Sequence, residues 1–281
     1  MKQAPPPKLV MTADLWTLAE HPSAETEWTL EEKCRAIKAA GFDAVSGFAD
    51  ARMPRLTESL GLRFAGLFDV PQGEDFVPLV RALVDQRAEI INVQLGTHNT
   101  TADEALRLTL GLMQEADRRC VNLHLEVHRG TCTETPEKAC ALADAYQRQA
   151  GKPLRLTFDH SHLAVVRHLA PEDFSRRLLD RPDLLQSSNL THCRPFNGHH
   201  CQVPVTNGYK ERTREFNEYL PFVEDLFKCW LAGPRPRNEL WVVPELGPVS
   251  SGYGISTCPS PWEDAQVVKR ELETIWNRIL H

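Results

Sequence analysis

The stretch V-N-L-H-L-E-V-H-R-G, Val121 to Gly130, decides how the chain folds. Val121, Leu123, Leu125 and Val127 fall on one parity; Asn122, His124, Glu126 and His128 fall on the other. A period of two marks a β-strand, whose side chains alternate between its faces. The polar face holds three titratable groups, and a buried carboxylate is costly unless a cation or strong donors meet it. Two readings stand at this point. Either the polar face lines a site, or the strand lies at an edge and shows that face to water.

Working outward, strand and helix patterns alternate on both sides. Lys8–Leu18 reads as a first strand running into a loop. Thr29–Ala40 opens on a capping-box pattern, with Thr29 and Glu32 three apart, and Gly41 stops it. Strands are expected at Phe42–Phe48, Leu62–Val70 and Glu89–Leu95, and helices at Asp50–Ser59, Asp75–Arg87 and Thr101–Arg119. Downstream, helices at Thr135–Gln149, Glu172–Asp180, Glu211–Leu231 and Trp262–Leu280 alternate with strands at Leu154–Asp159, Ser187–Cys193 and Leu240–Glu245. Residues 195–209 read as an irregular loop and Gly233–Arg237 as a turn. Such alternation predicts a parallel sheet. Eight units in 281 residues predict a closed (β/α)8 TIM barrel, one domain over residues 1–281. An open doubly wound sheet would carry a Gly-rich phosphate turn after its first strand, and residues 11–20 contain no glycine.

In a barrel of this kind the site lies at the C-terminal ends of the strands. Strand five ends with Glu126 and His128, strand six with Asp159-His160-Ser161-His162, strand seven with His192-Cys193-Arg194, and strand eight with Pro244-Glu245. Glu126 to Asp159 and Asp159 to His192 are each 33 residues, one strand-helix unit. Two Glu, one Asp and one His make an oxygen-rich pocket with one nitrogen. That set suits one divalent metal, Mn²⁺, Mg²⁺ or Co²⁺, and less distinctively Zn²⁺. Without a cation, three carboxylates at close range would not all stay ionised.

The pattern L-E-V-H at Leu125–His128, D-x-x-H at Asp159 and His162, H-x-R at His192 and Arg194, and the final Glu245 resembles the xylose isomerase-like TIM-barrel superfamily. That group includes sugar isomerases and 3-epimerases, inosose dehydratases and apurinic endonucleases, and the likeness runs over essentially the whole chain. The resemblance implies that Glu126, Asp159, His192 and Glu245 ligate one metal, and that His162 and Arg194 hold substrate oxygens. It implies a carbohydrate substrate with Glu126 and Glu245 facing each other across it, one removing a proton beside a carbonyl and the other returning it. A dehydratase or lyase acting on a keto-polyol would use the same site. The apurinic endonuclease branch would need further zinc ions. The resembled families commonly form dimers or tetramers, which makes a homo-oligomer the expectation.

Other residues fill out this reading. Asn92 and Gln94 share a parity on strand four and serve either a polyol pocket or internal hydrogen bonds. His98 lies just beyond them, and with His128 it is a candidate for substrate hydroxyls. Trp16 is a candidate apolar wall or ordinary core. His124 points with Glu126 but one layer deeper, as a satisfied core histidine. In the 195–209 loop, Asn197 and Gly198 stand two residues before His199 and His200, where the endonuclease pattern has Asp, so the extra zinc sites look incomplete. This loop is expected to fold over the sugar as a lid. Cys193 and Cys201 lack a second pair for a structural zinc finger.

Composition narrows the classes further. Hydrophobic residues make up 42% and charged residues 25%, the balance of a globular protein. No run approaches the ~20 apolar residues that span a bilayer. The lead-in M-K-Q-A-P-P-P-K lacks the apolar core of a signal peptide, and the expected location is cytoplasmic. A net charge of −6 argues against a broad nucleic-acid surface. The eight cysteines include no C-x-x-C pair and are expected to be reduced.

Overall fold

The computed structural model describes residues 6–73, 76–207, 209–234, 238–255 and 258–281. The first five residues of the proline lead-in, Asp75 at the head of the expected third helix, and residues 235–237 of the expected turn lie outside the described residues.

Eight strands form a closed barrel: β1 (Lys8–Asp14), β2 (Ala44–Gly47), β3 (Arg63–Val70), β4 (Ile90–Leu95), β5 (Asn122–Val127), β6 (Leu156–Asp159), β7 (Leu190–His192) and β8 (Glu239–Val243). Each pairs in parallel with its neighbours in sequence, and β8 closes on β1. This is the expected (β/α)8 TIM barrel. All six residues of β5 are buried. The strand lies between β4 and β6, so the edge-strand reading falls.

Helices α1 (Leu30–Ala39), α2 (Met53–Leu60), α3 (Phe76–Asp85), α4 (Ala102–Arg118) and α5 (Pro136–Ala150) follow the first five strands. The capping box at Thr29 is formed: the Glu32 carboxylate accepts from Thr29 N at 2.8 Å, and Thr29 Oγ1 accepts from Glu32 N at 3.3 Å. Thr101 and Thr135 cap α4 and α5 with the hydroxyl alone, each accepting from the N–H three residues on at 3.3 Å. After β6 the pattern departs from expectation. A helix, α6 (His160–Val166), begins at the strand end itself, with Asp159 Oδ1 accepting from Ser161 N at 3.0 Å as its cap. The single helix expected at Glu172–Asp180 is instead a 3-10 turn at Pro171–Asp173 and α7 (Phe174–Leu178), followed by α8 (Pro182–Gln186). Pro182 cannot continue a helix from upstream, but it suits a first helical turn. Two long helices, α9 (Arg214–Leu231) and α10 (Pro261–Leu280), complete the ring.

The core has two parts. Most of it lies between strands and helices, with Trp230, Phe227 and Trp276 packed together. A smaller set, including Val10, Ala44, Ile90, Leu190 and Trp241, fills the barrel interior. The Arg63 guanidinium lies 4.3 Å from the Trp241 ring and pairs with Glu89 and Glu239 at 2.6 and 2.9 Å. The N-terminal end of the barrel is therefore plugged, and the cavity opens at the other end. One layer above the plug, His124 Nε2 accepts from Asn189 N at 3.3 Å, in the core role expected of it. All eight cysteines are free.

Candidate metal centre and its cavity

Strand ends bring the predicted set together. Glu126 comes from β5, Asp159 from β6 and His192 from β7; Glu245 follows β8 by two residues. One ligand atom from each lies within 4.8 Å of the others. Register explains why: Asp159 pairs directly with His192, and His192 with Val243. His192 Nδ1 lies 3.2 Å from Glu126 Oε1 and 3.0 Å from Glu245 Oε2. Yet Glu126 Oε1 and His192 Nδ1 are buried and make no hydrogen bond of acceptable geometry. Ligands that share a hard cation at about 2.1 Å stand about 3 Å apart when adjacent. The spacing, the donor types and these two orphaned atoms all fit one divalent ion. Among the described residues this is the one group of three or more ligating side chains so gathered.

A surrounding set of donors aims the ligands. Asn92 Nδ2 and Gln94 Nε2 both donate to Glu126 Oε2, at 2.6 and 3.2 Å, which leaves Oε1 turned to the centre. Their internal hydrogen bonding is thus also what orients Glu126. Arg194 Nη2 donates to Asp159 Oδ2 at 2.8 Å and also to Glu245 Oε2. His162 Nε2 lies 3.3 Å from Asp159 Oδ2. His162 is buried against this ligand and is absent from the cavity lining, so it contacts Asp159 rather than the space a substrate would fill. Asn92→Ala is expected to weaken Mn²⁺ binding by about 10-fold to 100-fold, as loss of a ligand's outer partner commonly does. Calorimetric titration reads this, and an unchanged affinity would show that Asn92 does not hold Glu126 for the ion.

Electrostatics at the centre are a contest between burial and pairing. Burial opposes a charged His192, but the carboxylates of Glu245 and Glu126 outweigh it and hold its pKa well above the ordinary value. Burial likewise favours neutral acids, yet His192 holds Glu126 down to about 2. Asp159 is held well below its usual range against burial, chiefly by Arg194 and then His162. Glu245 is lowered against burial by His192 and Arg194. Without a cation, the protonated imidazole and the guanidinium balance the carboxylates.

The centre opens into a cavity of about 550 Å³. Glu126, Glu245, Arg194, His128, Asn92, Gln94 and Trp16 are among the residues that line it. Trp16 is half-buried, with its indole edge-to-face against Tyr253 at 5.0 Å. A Cβ on Gly247 would fall 2.1 Å from the indole, so glycine there lets Trp16 lie along the chain that carries Glu245. His128 Nδ1 donates to the Arg129 carbonyl at 2.7 Å, leaving Nε2 to accept from the Tyr253 hydroxyl at 2.9 Å.

Two expectations, for His98 and for the 195–209 loop, are corrected, and the histidines of that loop stay outside the cluster. His98 is exposed and outside the lining, because Gly96, in the left-handed region with φ +69°, turns the chain away after β4. His199 and His200 are exposed; their backbone N–H groups both donate to Asn197 Oδ1 at 2.8 Å, and neither joins a ligand cluster. Residue 208 of the 195–209 loop lies outside the described residues; the described residues of the loop do not line the cavity, so they do not form the expected lid. It packs on the scaffold instead. A Cβ on Gly198 would meet Leu169 O at 2.2 Å, and Gln202 exchanges two hydrogen bonds with Gly247 at 2.7 and 2.9 Å.

Among the lining residues that sequence reading missed, Asp14 and Tyr253 stand next to the centre. Asp14 ends β1, accepts from Trp16 N at 2.7 Å and is pushed up to about 6, by burial first and then by Glu245. Its signal, a carboxylate at a strand end, is the same one that singles out Glu126, Asp159 and Glu245. Tyr253 stands in an irregular segment with no local pattern. It packs against Trp16 and has the Arg129 and Arg194 guanidiniums 4.2 and 4.3 Å from its ring.

A parallel eight-strand barrel, with one cluster of four side chains at the C-terminal ends of its strands that could hold a metal ion, defines the class. No family sequence profile and no curated protein matches this chain. Solved structures do match. The chain is similar to L-ribulose 3-epimerase at TM-score 0.61 and 14% identity, covering 96% of each chain. It is similar to a xylose isomerase-like TIM-barrel protein from Mycobacterium smegmatis in complex with magnesium, at TM-score 0.57 and 15% identity, over 95% of this chain and 97% of that one. It is also similar to a probable 3-DHS dehydratase from Bacillus anthracis, at TM-score 0.57 and 11% identity, over 95% and 99%. At such identities the likeness is one of fold: this chain has the xylose isomerase-like TIM-barrel fold. No helix among the described residues is long and apolar enough to cross a membrane.

Proposed function

We propose that this protein is a metal-dependent isomerase or epimerase of a sugar or sugar derivative, acting by proton transfer beside a carbonyl. The observation that carries this reading is the convergence of Glu126, Asp159, His192 and Glu245, with both glutamates also lining the cavity. A divalent ion held by these four would polarise substrate oxygens and stabilise the negative charge of an enediolate. The chain does the rest. Glu126 and Glu245, from β5 and the end of β8, are the two bases, and inversion needs one on each face of the substrate. Arg194 has Nε and Nη1 buried without partners, which suits them to donate to substrate oxygens. His128 offers its ring at the cavity wall, and the Trp16 indole excludes water from one side. His162 is a positioning residue for Asp159.

A second reading shares the first step. The fold likeness to a probable dehydratase favours elimination of a hydroxyl after the same proton abstraction. Incubating the Mn²⁺-loaded protein with a panel of ketoses in D2O separates the two. Deuterium entering the carbon beside the carbonyl, with an epimer accumulating, is the expected result. Loss of water would select the lyase reading, and no exchange in any ketose or keto-glycoside would overturn proton transfer altogether.

A further inference from the structure

The cavity is two-sided, and only one side is used by the chemistry above. The carboxylates and amides used above come from β4, β5 and the β8 end, while Asp14, Asp50 and Asp69 stand among the lining residues of the β1–β3 side. The opposite wall is built from Leu15, Leu30, Phe48, Ala49 and Leu67, with Trp16 at the junction. Gly47 lets this wall close up, since a Cβ there would lie 2.6 Å from Leu15 Cδ1. Phe48 is 59% exposed although it lines a cavity, an apolar ring left in water. A hydroxyl-rich sugar gains little against such a wall, whereas an apolar group would bury it. The volume of about 550 Å³ also lies within the ~300–1,000 Å³ of sites that enclose drug-sized ligands, larger than a lone monosaccharide ring requires.

Charge narrows the class further. The charges of both lining guanidiniums are already offset by carboxylates: Arg194 pairs through Nη2 with Asp159 and Glu245, which leaves Nε and Nη1 as donors but no excess charge, and Arg52 pairs with Asp50 at 3.0 and 2.6 Å. Asp14 and Asp69 add acidic groups to the same lining. A phosphate or carboxylate on the substrate would meet carboxylates rather than a free cation.

We infer that the substrate is an uncharged keto-sugar bearing an apolar substituent, aryl in kind, with its carbonyl end at Glu126 and Glu245 and its substituent against Phe48, Leu30 and Leu67. This rests on the proton-transfer reading for the carbonyl end, but the apolar subsite can be tested without turnover.

The test uses unreactive glycosides on Mn²⁺-loaded protein, with calorimetry as the readout. Phenyl β-D-glucopyranoside is expected to bind at least about tenfold more tightly than methyl β-D-glucopyranoside, the scale set by burying one aromatic ring. Phe48→Ala and Leu67→Ala should each cut that ratio about threefold or more, with thermal melts verifying the fold. Phenyl β-D-glucopyranoside 6-phosphate should bind more weakly than its parent. Equal binding of phenyl and methyl compounds, absence of binding by both, a ratio untouched by either variant, or tighter binding of the phosphate would each overturn the inference. A phenyl preference without deuterium exchange in any ketose would uphold the subsite and sink the proton-transfer reading. Exchange with free ketoses and no phenyl preference would do the reverse.

Discussion

Glu126→Gln is expected to lower kcat by at least about 10³-fold while leaving the far-UV circular dichroism of the barrel unchanged. The magnitude follows from general base catalysis, which alone contributes about 10²–10⁴-fold. The substitution conserves volume, so the fully buried site on β5 is not emptied. Chemistry is lost in two ways. An amide does not take up the substrate proton. It also meets a conflict of orientation. Asn92 and Gln94 both donate to Glu126 Oε2, so an amide would place its oxygen there and turn its NH2 towards His192 Nδ1, 3.2 Å from the present Oε1. A donor would then point at the position of the cation. Measuring exchange at saturating Mn²⁺ separates the two losses, because excess metal compensates weakened ligation but not an absent base. On the two-base reading, Glu245→Gln should show the complementary loss: each variant fails to exchange the epimer whose C–H faces the missing carboxylate. Normal turnover by Glu126→Gln would remove Glu126 from the mechanism.

The fold and the four-ligand cluster were legible because both depend on local, periodic signals. Alternation in Val121–Val127 marked β5, and regular spacing of strand-helix units set the strand ends at one rim. Glu126, Asp159 and His192 recur one unit apart, which is why three adjacent strands present them side by side. Legibility failed where position depends on distant packing. Tyr253 reaches the cavity because Trp16, Arg129 and Arg194 hold its ring, and no pattern around residue 253 encodes that. The 195–209 loop has the composition of a lid, but Gly198 and Gln202 fasten it to the scaffold through partners at Leu169 and Gly247. His98 was placed by counting along β4, and the left-handed turn at Gly96 defeats such counting. Asp14 is a different kind of failure. The strand-end rule applies to it, but Lys8–Leu18 reads only as a strand running into a loop, and that pattern fixes no strand end at Asp14.

Titrating Mn²⁺ into metal-free protein is expected to raise Tm by on the order of 10 °C when the ion is a thousandfold above its Kd. Binding to the folded state alone contributes about 4 kcal/mol at that ratio, and a chain of this size shifts by roughly 2–4 °C per kcal/mol. The shift should also depend on pH, with a sign fixed by His192. In the metal-free protein, Glu245 and Glu126 hold the imidazole pKa well above its ordinary value in spite of burial. The proton's stabilising contribution is therefore complete below the unfolded pKa and is lost only as pH rises through the raised folded value. A cation competes with that proton for the same nitrogen, and ligand deprotonation makes metal affinity pH-dependent. Between those two pKa values, metal binding should release about one proton and tighten about tenfold per pH unit. Calorimetry in buffers of different ionisation enthalpy counts the proton. Asp159→Asn, which removes one ligand charge and keeps its size, should abolish most of the thermal shift. A Tm indifferent to Mn²⁺, Mg²⁺, Co²⁺ and Zn²⁺ across that range would mean that Arg194 and the His192 proton already satisfy these carboxylates. The centre would then be a buried ion-pair network with no place for a metal.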